Sequence, residues 1–388
     1  MQAAKLSGLA RVDELYKDRT KRAKELHDKG KKIIGYMCCF PPVEMFTALD
    51  MVPFRITGNV HDPITKSNDY LETILCPFVR SSFDQAMKGN YDFLDGLVLP
   101  HSCDTVVTIY DIWTYYKHYK FTHFLNMPHM IHPESYDFLN VELKMLRKAL
   151  EKYAGTELSD AKLKKAIQLH NENRSLLRQV YDLRKPDPPM LSGTEMLKIV
   201  LSNMTIPVEE GNELLRQVID DVKHNHKGHP QKKAARVLVY GAEIDDIAFI
   251  KLVEDCGANV VIDDICTGTR FFWHDVELTN DPLQSLTKRY LDKIPCPRTY
   301  REPPQQKGHK ADLENRFGYL KKFAKDFNVN AVIFNIMRFC DTHELDVPDV
   351  RDFLQEAGYP VLHLEDDYNM ASIGQLQTRI QAFLEMIV

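Results

Sequence analysis

No apolar run in the 388-residue chain approaches the ~20 residues that a helix needs to cross a bilayer, so no membrane span is expected. The opening stretch "MQAAKLSGLARVDELYKDRTKRAKELHDKG" also lacks the apolar heart of a secretory signal. A cytoplasmic protein with reduced thiols is the expectation. Excess positive charge is missing too: 50 Lys and Arg stand against 55 Asp and Glu, for a net charge of -5. That balance speaks against nucleic acid as a partner, which calls for a clustered basic face. The basic runs "KRAKELHDKGKK" and "KHNHKGHPQKK" read as solvated helix ends or linkers. There is no GxxxxGK[ST] stretch and hence no nucleotide phosphate loop, and no tandem repeat. The eight cysteines show none of the compact spacings of ferredoxins or zinc fingers.

What remains is the composition of a soluble globular protein, 44% hydrophobic and 27% charged, long enough for two or three cores. Residues 1–30 read as a leading helix, with Leu9, Val12, Leu15 and Tyr16 at helical spacing and Gly30 ending it. From 31 to 133, strand-like segments ("KKIIGYMCCF", "VPFRITG", "DGLVLP", "FTHFLNMPHM") alternate with helical ones ("PPVEMFTALDMV", "PFVRSSFDQAMKGN", "TVVTIYDIWTYYKHY"). This is the rhythm of a parallel sheet with crossover helices. Residues 134–232 switch to long polar-apolar helices, broken at "KPDPP", which read as a helical connecting segment lying over the domains. The strand-helix rhythm returns at 233–388 with "RVLVYG", "ANVVIDDIC", "VNAVIFNIMRFC" and "YPVLHLEDDY". The predicted fold is α/β: two doubly wound parallel-sheet domains with a helical N-terminus and a helical connection.

In doubly wound sheets, ligands bind beyond the carboxyl ends of the strands. Cys76, Cys103 and Cys340 each lie where a strand gives way to a helix. The N–H groups and positive dipole of a helix start stabilise a thiolate. Cys38, Cys39 and Cys266 end strands as well, so position nominates six cysteines without choosing among them. Their wide spacing by itself favours small buried hydrophobes. Cys256, in "LVEDCGANVV", reads as a buried helix-end residue.

The blocks "IIGYMCCFPPVEMFTALDMVPFRITG", "ILCPFVRSSFDQ", "PHSCDTVVTIYDIW", "DPLQSLTKRYLDKIPCP", "FNIMRFCD" and "HLEDDYNMASIGQLQTRIQAFLEMI" resemble, in order, those of the 2-hydroxyacyl-CoA dehydratase and ATP-dependent benzoyl-CoA reductase family. The likeness is greatest to the small core (C or gamma) subunits of the reductases. It implies two flavodoxin-like domains whose loops together hold one [4Fe-4S] cluster through Cys76, Cys103 and Cys340, with a non-cysteine ligand on the fourth iron. It further implies an oxygen-sensitive oxidoreductase subunit that passes low-potential electrons to an aromatic acyl-CoA thioester. A lyase alternative is a 2-hydroxyacyl-CoA dehydratase subunit working through a ketyl radical, and another is a non-catalytic electron relay. Implied partners are a larger homologous sister subunit, ATP-hydrolysing iron-sulfur activator subunits and the acyl-CoA substrate.

Around those ligands, His101 and Ser102 are candidates to hydrogen-bond a sulfur or the open iron, with helix capping the plainer role for Ser102. Phe40, Phe54, Phe78, Trp113 and Phe339 are candidate wall residues that equally suit an ordinary core. Arg80 and Arg338 could balance cluster charge, but the plainer expectation is that they pair with carboxylates such as Asp84 and Asp341. The "EDDY" run ends a strand, and "SIGQ" after it starts the last helix and could offer N–H groups to an anion, a CoA phosphate or the cluster. Cys296, in "IPCPR", has no assigned role.

Overall fold

The computed structural model describes residues 7–301 and 308–387. Ten strands are present among them: β1 Lys32–Tyr36, β2 Met51–Arg55, β3 Gly96–Pro100, β4 Phe121–Leu125, β5 Met130–Ile131, β6 Ala235–Gly241, β7 Ala258–Asp264, β8 Tyr300–Arg301, β9 Ala331–Met337 and β10 Val361–Asp366. β2, β3, β6, β7 and β9 are buried along their whole length. Continuous apolar runs such as "GLVLP" and "AVIF" suit strands covered on both faces, the condition of a parallel sheet under helices.

Two four-stranded sheets form, both wholly parallel, in the orders β2-β1-β3-β4 and β10-β9-β6-β7. Counted within its own half, each sheet has the order 2-1-3-4, the flavodoxin-type order without its fifth strand. The strand order reverses between β1 and β3 in one half and between β6 and β9 in the other, which makes those two crevices the natural binding points. Gly241 ends β6 against Asn335 of β9, and a Cβ there would stand 2.3 Å from the Asn335 carbonyl oxygen. Only glycine permits that approach.

The halves are joined through buried polar contacts and a short parallel pairing of β5 with β8. Glu44, in helix Val43–Ala48, accepts from the Arg174 guanidinium of helix Asp160–Asp182 and, at 2.7 Å, from the Tyr290 hydroxyl of helix Pro282–Asp292. One apolar cluster includes Ile33, Phe83 and Leu97 from the first half together with Ala242 and Met337 from the second. The core therefore runs through the junction.

Two expectations need correction. The leading helix is two helices, Gly8–Lys17 and Lys21–Asp28, because the Asp18 carboxylate accepts from the Thr20 and Lys21 N–H groups at 3.1 Å each and turns the chain between them; residues 1–6 of that expectation lie outside the described residues. The connecting helices do not merely lie over the sheets. Helix Asp160–Asp182 buries Leu163, Ile167, Leu177 and Val180, and Gly193–Asn203 buries Met196, Leu197, Ile199 and Val200. Their polar composition misleads because buried Asn173, Asn203 and Asn212 hydrogen-bond one another between helices, at 2.8 to 3.0 Å.

Candidate functional site

Beyond the carboxyl ends of the strands the two crevices face each other and enclose a cavity of about 80 Å³, well above the ~10–15 Å³ that admits one water. β1 leads into Cys38, Cys39 and Phe40, and β3 into Ser102 and Cys103; β6 leads into Ala242 and Glu243, and β9 into Cys340. Cys76, Cys266 and Cys296 complete the thiols, so seven of the eight cysteines line this one cavity. Cys256 caps helix Ala248–Asp255 elsewhere and is half-buried rather than buried.

Cys76, Cys103 and Cys340 stand at the N-caps of helices Pro77–Met87, Asp104–Tyr116 and Asp341–Glu356. Cysteine is not among the residues that ordinarily cap a helix, and three such caps around one cavity set three thiols against three positive helix ends. Burial pushes the Cys76 thiol up to about 12, opposed by the N–H groups of Val79 and Phe78 and reinforced by Cys103. Cys103 is raised by burial, against the N–H groups of Val106 and Thr105. Cys340 lies well above the thiol range, first through burial and then through Cys76. The three sulfurs thus feel one another. Their mutual repulsion as thiolates is what a cationic occupant would remove.

A second layer surrounds them. Arg55, at the end of β2, donates to the Cys38 carbonyl and reaches both Glu243 oxygens at 2.8 Å. Burial raises the Glu243 carboxyl to about 8, against the pull of Arg55. Cys266 is pulled below the thiol range by the Cys39 thiol and then, against burial, by Arg270 and Arg55. Arg298 donates to the Met127 and Pro128 carbonyls at 3.0 Å and lies over the Phe40 ring, while its buried Nε has no partner among the described residues. His343 Nδ1 is 3.3 Å from Cys340 Sγ.

Of the polar candidates, Ser102 lines the cavity and accepts from the Cys38 thiol at 3.2 Å. His101 does not line it; its Nδ1 pairs with Asn126 Oδ1 at 3.0 Å and its ring packs on Phe124 and His129. Phe40 and Phe78 are wall residues. Phe54 packs on Tyr91 and Phe93, and Trp113 on Phe83, both in the core; Phe339 is 38% exposed. The expected arginine pairs are corrected. Arg80 donates to Asn68 and the Thr73 carbonyl, because Asp84 is taken by Lys88 and the Thr65 and Ser67 N–H groups. Arg338 pairs with Asp367 and Glu365 on the neighbouring β10 side rather than with Asp341. The last helix, Ile373–Ile387, follows a 3-10 turn at Met370–Ser372, and none of those residues lines the cavity.

Sequence reasoning missed Arg55, Glu243, Arg270, Arg298 and His343. For His343 a signal existed, since "CDTHE" puts it one helical turn after Cys340; for Glu243, its place two residues past a strand end was the same cue that nominated the cysteines. The arginines reach the site along their length from unrelated segments, and no local pattern marks them.

Among the described residues no three His, Cys, Asp or Glu side chains converge closely enough to hold a single metal ion. Three thiols spread around a cavity instead suit a multinuclear cluster, in which each ligand binds a different metal atom.

Residues 38–387 match the family model described as 2-hydroxyglutaryl-CoA dehydratase, D-component. The chain is 26% identical over 371 residues to the beta subunit of (R)-phenyllactyl-CoA dehydratase from Clostridium sporogenes, covering 94% of each chain. It is 26% identical over 389 residues to the C subunit of benzoyl-CoA reductase from Thauera aromatica, covering 98% of this chain and 97% of the relative. Against the beta subunit of (R)-2-hydroxyglutaryl-CoA dehydratase from Acidaminococcus fermentans the figures are 22% over 368 residues, with 92% and 93% covered.

Proposed function

This chain belongs to the 2-hydroxyglutaryl-CoA dehydratase D-component family, and from that premise we propose that it is the iron-sulfur subunit of an ATP-dependent benzoyl-CoA reductase. In this reading Cys76, Cys103 and Cys340 hold one [4Fe-4S] cluster and leave its fourth iron to a non-cysteine ligand. Residues 31–133 and 233–388 are the two α/β domains that clasp it, joined by 134–232. The observation that carries the reading is the cavity at the meeting of two switch points, ringed by three helix-capping thiols. The unspent Arg298 Nε–H in its wall suits the net negative charge that a cationic cluster core carries once three thiolates bind it.

When bound, such a cluster supplies one-electron transfer at low potential. The chain's own part is to shield and balance it. Phe40, Phe78, Val79 and Met337 keep water from the cavity, while Arg298 and the helix N-termini offset negative charge. A larger sister subunit, an ATP-hydrolysing activator and an aromatic acyl-CoA thioester complete the proposed system; the relatives' names as subunits support a heteromer. The family description and the dehydratase beta subunits among the relatives favour a second reading, the corresponding subunit of a 2-hydroxyacyl-CoA dehydratase.

Anaerobic reconstitution with iron and sulfide, followed by metal analysis and visible absorption, tests the cluster. Cys103→Ala is expected to lose iron and Cys256→Ala to keep it; a colourless wild-type protein, or equal retention in both variants, overturns the assignment. With sister subunit and activator present, stoichiometric consumption of reductant per thioester marks the reductase and catalytic consumption the dehydratase.

A further inference from the structure

One buried chain of contacts leads away from the proposed cluster site and is not used by it. Asp264, at the end of β7, accepts from the Tyr319 hydroxyl at 2.7 Å and pairs with Arg270 Nη2 at 2.9 Å, with Asp264 and the Arg270 side chain fully buried. Arg270 Nη2 also donates to the Asp264 carbonyl at 2.9 Å and Nη1 to the Gly241 carbonyl at 2.7 Å, so the guanidinium is fixed in place. From there Nη1 lies 2.9 Å from His343 Nε2, and His343 Nδ1 lies 3.3 Å from Cys340 Sγ. His343 is itself only 2% exposed.

The protonation pattern follows from what each group can do. A guanidinium has only donors and does not give up its proton in proteins. His343 Nε2 faces both this donor and the Gly241 carbonyl; with that carbonyl already accepting from Arg270 Nη1 at 2.7 Å, Nε2 is assigned as the bare, accepting nitrogen, and a neutral imidazole then carries its one hydrogen on Nδ1. That hydrogen points at sulfur. The histidine that ordinarily leaves its tautomer to circumstance has it set here by an arginine locked to a carboxylate.

We propose that His343, held by Arg270 as its Nδ1–H tautomer, is a positioning residue that donates a hydrogen bond to the Cys340 sulfur and so sets the reduction potential of the group Cys340 holds. The inference rests on the cluster reading above and goes beyond it, to a residue that is not a ligand. Hydrogen bonds to ligand sulfurs stabilise the more negative, reduced form and raise the potential. A hydrogen bond to a charged acceptor is also stronger than one between neutral groups. The plain alternative is a histidine that only completes a buried network. It predicts a loss of stability on substitution and no change in potential.

The test compares wild type, His343→Leu and His343→Asn, all anaerobically reconstituted. Asparagine places an amide N–H where Nδ1–H stood; leucine places none. Three readings are taken: iron content, midpoint potential by spectroelectrochemical titration, and, in the metal-free protein, ¹⁵N NMR of selectively labelled histidine with the Asn variant serving to identify the His343 signal. The expected result is a protonated Nδ1 and bare Nε2 in the metal-free wild type, a more negative potential in the Leu variant, and recovery toward wild type in the Asn variant. Iron uptake by all three with indistinguishable potentials, or an Nε2-protonated His343, overturns the inference and leaves the cluster reading intact. Failure of wild type to take up iron overturns both. Loss of iron from the Leu variant alone leaves the tautomer as the deciding measurement.

Discussion

Arg55 Nη2 stands 2.8 Å from both carboxylate oxygens of Glu243, a contact between the end of β2 in one half and the residue two beyond β6 in the other, with the arginine fully buried and the acid 5% exposed. Removing the acid alone leaves a guanidinium that cannot neutralise itself. Glu243→Ala is therefore expected to cost about 3–5 kcal/mol, the range for breaking a buried pair. Replacing both partners, as Arg55→Leu with Glu243→Leu, is expected to cost much less, since no orphan charge remains. Urea unfolding of the three proteins at about pH 9, above the raised Glu243 carboxyl, checks this; a double variant as unstable as Glu243→Ala would show that packing, not charge, is what the pair provides.

The Glu44 cluster predicts acid sensitivity in two steps. Burial alone would raise Glu44, but Arg174, then His170 and Arg289, hold it down at about 2, against an ordinary 4.5. Burial lowers His170 from 6.5 to about 4, and its Nε2 is 2.9 Å from Thr47 Oγ1. Both groups bind fewer protons folded than unfolded, so both contribute stability that is present at neutral pH and lost on acidification. For His170 the loss runs from about pH 6.5 down to 4 and amounts to about 3 kcal/mol; for Glu44 it runs from about 4.5 down to 2 with a similar size. His170→Gln should flatten the first limb of a plot of unfolding free energy against pH and leave the second. An unchanged slope between pH 6.5 and 4.5 would remove His170 from the account.

Gly241 carries a backbone prediction. With a Cβ only 2.3 Å from the Asn335 carbonyl oxygen, Gly241→Ala has to spread β6 from β9 at the very crevice that forms the cavity. The expected cost is about 1–3 kcal/mol, read as a lowered melting temperature, with iron uptake reduced as well because Ala242 and Glu243 follow directly.

The element types and both sheets were legible because buried parallel strands carry apolar runs such as "VLV" and "AVIF" and their helices begin at recognisable Pro and Asp positions. The break at Asp18 was not, since an aspartate within helical spacing turns the chain only if its carboxylate folds back on the next two N–H groups. At the site, strand-end position nominated six thiols without choosing among them. The reason is now visible: the structure gathers Cys38, Cys39, Cys266 and Cys296 into the same cavity as the three helix-capping cysteines. Helix capping separates the two groups, and it depends on loop geometry that residue spacing alone does not encode. The arginine and histidine layer was illegible for a different reason. Arg270 meets Cys340 only through His343, which lies 73 residues along the sequence from the arginine.

Metal removal gives the last prediction. In the proposed cluster reading, ligation by Cys76, Cys103 and Cys340 joins loops of both halves, and a group that binds only the folded chain stabilises it in proportion to its saturation, about 2.7 kcal/mol at a hundredfold excess over Kd. The reconstituted protein should therefore melt well above the same protein stripped with a chelator under anaerobic conditions. Stripping should also make Cys103 and Cys340, both part-exposed, open to alkylation, slowly near neutral pH because burial keeps both protonated, helped by Asp104 and Asp341 at Cys103 and by the other thiols at Cys340. Cys340→Ala should abolish the difference in melting temperature, while Cys256→Ala, outside the cavity, should retain it in full. Equal differences in both variants would mean that the stabilising group sits elsewhere in the chain.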